Sequence, residues 1–86
     1  MYTLIERYIN NLSLHDLKNL AINKNINLSD EELTFSYNFI KTNWKNILNN
    51  HGIFDIEKYK DKFTEENFNK IKQLLKESLQ KYSKYI

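Results

Sequence analysis

An all-α fold follows from three features of the sequence. Proline is absent and Gly52 is the only glycine, so almost nothing interrupts a helix, and the turn residues a β-rich chain needs are missing. Ser13 with Asp16, and Ser29 with Glu32, place a serine three residues before an acid, the signature of a helix N-terminus closed by reciprocal hydrogen bonds. Between such starts the apolar residues recur at spacings of three and four, the helical period. The expected architecture is a compact single-domain bundle, residues 1–86, of about five helices around a long central helix at about 29–50.

The first helix is expected from Tyr2 to Asn10. Tyr2, Ile5, Ile9 and Leu12 share one face, with Leu4 and Tyr8 beside it. Ser13 caps a second helix with Asp16 as an imperfect partner, and Leu14, Leu17, Leu20 and Ala21 form its narrow apolar stripe. That helix ends near Lys24, where Asn25 tolerates the left-handed conformation that commonly closes a helix. Ile26 and Leu28 alternate with polar neighbours in a short extended link and pin it to the core.

The central helix runs for about 20 residues, close to 30 Å. Its capping box, Ser29 and Glu32, is followed by Leu33, Tyr37, Ile40, Trp44, Ile47 and Leu48 on one stripe. Phe35 and Phe39 fall on nearly the opposite side, and Thr34, Asn38, Lys41 and Lys45 form the wet strip. A helix apolar on two sides is either sandwiched between neighbours or offers one side to a partner. Trp44 is expected in the core.

Gly52 follows at the position where a helix C-terminus needs positive φ. Asp55 is placed to cap a short helix through Lys60 that buries Ile53, Phe54, Ile56 and Tyr59, with Phe63 after it. Thr64 caps the last helix, whose first turn carries Glu65 and Glu66. Phe68, Ile71, Leu75, Leu79, Tyr82 and Ile86 repeat at helical spacing along it.

Composition narrows the function classes. With 41% apolar and 14% aromatic residues the chain is globular rather than disordered. The absence of cysteine removes disulfides, thiol nucleophiles and cysteine metal sites. The charged pair in MYTLIERYINN interrupts what would be a signal-peptide core, and no stretch is apolar enough for a membrane span. A cytoplasmic, soluble protein is expected. His15 and His51 stand in no HxxxH or HExxH arrangement, and no nucleophile elbow, phosphate loop or calcium loop is present. The reading is therefore non-enzymatic, without cofactor, metal or small-molecule substrate.

Two binding readings remain. In the first, Phe35 and Phe39, with Lys41 nearby, form a docking face for another protein or for self-association. In the alternative, the basic C-terminal helix binds nucleic acid weakly. Residues 67–86 carry five lysines against one glutamate, a balance of +4, whereas residues 1–57 carry five basic and seven acidic side chains, a balance of −2. Lys70, Lys72, Lys76, Lys81 and Lys84 interleave with Tyr82 and Tyr85. Lys72 and Lys76 flank one side of the apolar stripe while Lys70 and Lys81 flank the other, an arrangement that also suits lysines covering their own core edge.

The segment LIERYINNLSLHDLKNLAINKNINLSDEELTFSYNFIKTNWKNIL, roughly residues 4–48, resembles the small helical proteins of the YqfT-like kind from low-GC Gram-positive bacteria. The shared pattern is an amphipathic first helix, a capped second helix ending in NxIxL, a second capping box, and the segment from Ile40 to Lys45. FTEENFNKIKQLL matches more loosely. The resemblance implies a small cytoplasmic all-α bacterial protein and carries no active site with it.

Overall fold

In the computed structural model, residues 3–49 and 56–82 are described. They form α1 (Thr3–Asn11), α2 (Leu14–Asn23), α3 (Asp30–Asn49), a 3₁₀ helix, η1 (Ile56–Lys62), and α4 (Glu65–Tyr82). The fold is the expected all-α bundle around α3, with boundaries within a residue or two. Its radius of gyration of 12.5 Å matches the ~12 Å of a compact chain of this length. The expectations for Gly52, His51, Ile53, Phe54, Asp55, Tyr85 and Ile86 lie outside the described residues, as do those for the side chains of Leu79 and Tyr82.

The starts of α2, α3 and α4 are made by the residues that announce them. Ser13 Oγ accepts from Asp16 N–H, and Asp16 returns the bond to Ser13 N–H, both at 3.0 Å, so this capping box is complete rather than imperfect. Ser29 and Glu32 make the same exchange at 2.9 and 3.1 Å. Thr64 Oγ1 accepts from Asn67 N–H and caps α4.

The end of α2 is equally specific. Asn25 is the one described non-glycine residue with positive φ, at 61°. Its N–H bonds Ile22 O while Ile26 N–H reaches back to Ala21 O, the paired bonds of a Schellman closure. Ile26, just beyond, is buried and pins the link to the core.

The core forms on two sides of α3. Leu33, Trp44, Ile47 and Leu48 are buried on the stripe expected for them, and α1 and α2 pack on α3. On the other side an aromatic cluster joins α3 to η1. Phe35 lies 5.8 Å from Phe39, 5.9 Å from Tyr59 and 5.7 Å from Phe63, and Phe39 lies 4.7 Å from Tyr59. Phe63 continues it to Phe68 of α4, which is only 2% exposed.

Glu32 ties these layers together. It is 5% exposed, yet each oxygen is satisfied. Oε1 accepts from Ser29 N–H and from Asn67 Nδ2, and Oε2 accepts from Thr64 N–H, all at 2.9 Å. One carboxylate thus caps the N-termini of α3 and α4 together, where both helix dipoles favour negative charge. Asn67 Nδ2 also donates to Asn27 O, which brings the α2–α3 link into the same cluster.

Candidate interaction groove

Three lysines singled out in the sequence for binding or charge have internal partners. Lys41 Nζ donates to Ile9 O at 2.6 Å and Asn10 O at 3.1 Å, closing the C-terminal end of α1. Lys70 Nζ donates to Asn25 O at 2.7 Å at the end of α2 and lies 3.9 Å from Glu66. Each cation meets the negative end of a helix remote in sequence. Lys72 pairs with Glu57 at 2.6 Å, a bond that holds the Glu57 carboxyl below its ordinary range. Of the proposed nucleic-acid set, Lys76 is exposed, the Lys81 side chain and Lys84 lie outside the described residues, and Lys70 keeps a 40% exposed side chain while it bonds Asn25 O.

Phe35 and Phe39 are half-buried in the aromatic cluster under Tyr59 and Phe63. The second apolar side of α3 is therefore covered by the chain's own 3₁₀ helix, the sandwiched outcome of the two the sequence left open. Lys62 adds its cation 5.7 Å from the Phe35 ring centre. The pair and Lys41 are not brought together as one exposed face.

The exposed apolar side chains lie elsewhere. Leu4 is 73% and Tyr8 57% exposed, although the sequence places them beside the buried face of the first helix. Ile5 and Ile9 are half-buried and α1 has no fully buried residue of its own, so the flank beside them stays open. Leu14 is exposed too, against its expected place on the α2 stripe, as is Ile22. These two lie on the side of α2 away from Asp16, Asn19, Leu20 and Asn23.

Between α1 and α2 runs an open groove of about 660 Å³. Arg7, Tyr8 and Asn11 form one wall, Asp16, Asn19, Leu20 and Asn23 the other, and Leu12 lies in the floor. Leu4, one turn before Tyr8, extends the first wall along the same flank. The Asp16 carboxylate is committed to Ser13, whose backbone and side-chain hydrogen bonds hold its pKa below the ordinary value. No salt bridge involves Arg7 among the described residues. The groove thus offers one cation, a Leu–Tyr ridge and three amide side chains able to donate and accept.

Sequence reasoning missed this site because its signal is spread over two helices. Leu4 and Tyr8 four apart, with Asn11, Asn19 and Asn23 on the facing flanks, were the legible part. Among the described residues no group of three metal-ligating side chains converges, and no helix is long and apolar enough to cross a membrane. Comparison with family models, with curated proteins and with solved structures gives no match.

Proposed function

We propose that the protein is a non-enzymatic interaction module that docks a short amphipathic segment of another protein in the α1–α2 groove. The observation that supports this is the exposed pair Leu4 and Tyr8 on one flank of α1, of which Tyr8 lines that groove and Leu4 lies one turn before it. Exposed apolar side chains rimmed by polar ones mark interaction sites. A ridge of two side chains falls well short of the ~800 Å² per partner of a standard interface between globular proteins. A single segment laid between two helices, its apolar face on the ridge, suits that area better than a second copy. Arg7 favours an acidic residue on that segment. A cytoplasmic setting and kinship with YqfT-like proteins belong to this proposal and rest on the sequence pattern alone.

A display library of random peptides, selected on the immobilised protein, tests the reading. Enriched peptides should carry an apolar pair at helical spacing with an acid nearby, and should lose at least tenfold in affinity to a Leu4→Ser/Tyr8→Ser variant that melts like the parent. Peptides that bind parent and variant equally would overturn the groove as the site. A dimer in sedimentation that the same variant dissolves would replace the peptide by a second copy. Submicromolar DNA or RNA binding at 150 mM salt, steeply salt-dependent through counterion release, would favour the basic helix instead.

A further inference from the structure

We infer that Glu32 is an acid-sensitive clasp, so that one protonation loosens the junction between the heads of α3 and α4. The inference stands on geometry. Three hydrogen-bond donors from Ser29, Thr64 and Asn67 converge on a carboxylate 5% exposed, across sequence separations of up to 35 residues. All three donate N–H groups, and none can act as an acceptor at those contacts. A protonated carboxyl can still accept from these N–H groups, but it loses the charge that strengthens all three bonds, and its own O–H finds no acceptor among them in a site that water barely reaches.

The partners facing Glu32 from each element are neutral: Ser29 at the head of α3, and Thr64 and Asn67 at the head of α4, with Asn67 also bound to Asn27 of the link. The charged groups nearest in sequence, Asp30 and Glu31 on α3, Asp61 and Lys62 on η1, and Glu65 and Glu66 on α4, are exposed. Lys70, one turn further along α4, is engaged by Asn25 O and Glu66. Among the described residues no buried cation stands ready to take over the role.

Burial alone raises the Glu32 pKa, but hydrogen bonds from Ser29, Thr64 and Asn67 outweigh it and hold the carboxyl below its ordinary 4.5. A depressed folded-state pKa contributes stability that is present above the unfolded value and lost as pH falls through the folded one. The clasp is therefore closed at neutral pH and opens only below about pH 4.5. Its opening removes the polar tie between the heads of α3 and α4 and leaves the Schellman closure of α2 and the packing of α2 on α3 in place.

Nuclear magnetic resonance of the unmodified protein tests this directly. The backbone amide protons of Ser29 and Thr64, 35 residues apart, should titrate together in one single-proton step with one midpoint below pH 4.5. After correction for intrinsic rates, amide exchange in the first turn of α4 should quicken at least tenfold across that step, while α2 changes less than twofold. Glu32→Gln should show the open state of α4 at pH 7 and abolish the shared step. Separate midpoints for the two amides, or α2 and α4 losing protection together, would overturn the clasp, and both readouts hold even if the variant fails to fold.

Discussion

Asn25 stands where the chain must take a left-handed turn, and its side chain is among the few that accept it. The position does two jobs. Its φ of 61° closes α2, and its carbonyl oxygen receives Lys70 from α4, 45 residues away. Asn25→Gly keeps the turn at no steric cost, whereas Asn25→Ala should destabilise the protein by about 1 kcal/mol, because a β-carbon is crowded in this region. Urea unfolding of the two variants checks the order. An alanine variant as stable as the glycine one would mean that the turn relaxes to negative φ. Trp44, Ile47 and Leu48 show what sequence settles at this scale: a residue's face on its own helix.

At the scale of elements, three starts legible in the sequence are closed by contacts three residues apart: Ser13 with Asp16, Ser29 with Glu32, Thr64 with Asn67. Local chemistry decides such boundaries, so local sequence reveals them. What was not legible spans the chain. The second oxygen of Glu32 reaches Thr64, Lys41 reaches the end of α1, and Phe35 and Phe39 find Tyr59 and Phe63. Helical periodicity gives a face but not its neighbour, which is why the sequence leaves the Phe pair open between core and partner and places Leu4 and Tyr8 only beside the buried face. Helix α1 depends on such a remote contact, because Lys41 donates to the carbonyls of Ile9 and Asn10 near its C-terminus. Lys41→Met keeps the apolar stem and removes the donor. Amide exchange of α1 should rise toward that of an isolated nine-residue helix, which is marginal in water, while α2 keeps its protection. Equal loosening of α1 and α2 would show that the first helix is welded to the second.

For the whole molecule the question is whether the two sides of α3 fold as one unit. A domain of 86 residues has a stability of about 5–10 kcal/mol, so neither side can be lost lightly. Phe68 sits where the aromatic side meets α4, 6.3 Å from the Phe63 ring and almost fully enclosed, with the Lys72 cation 5.3 Å from its ring centre. Phe68→Ala should cost about 3–5 kcal/mol. In a chain of this size that lowers the melting temperature by roughly 15–30 °C. Trp44 reports from the opposite side of the same helix, on the stripe where Leu33, Ile47 and Leu48 are buried as well. If α3 couples the two sides, the red shift of Trp44 emission in Phe68→Ala should coincide with the loss of far-ultraviolet helical signal, as in the parent but at lower temperature. A Trp44 transition that keeps the parental midpoint while part of the helical signal melts early would show instead that α4 and η1 form a separate, weaker unit. A single coincident transition would mean that the buried stripe and the aromatic cluster, read as two faces of one helix, are one core.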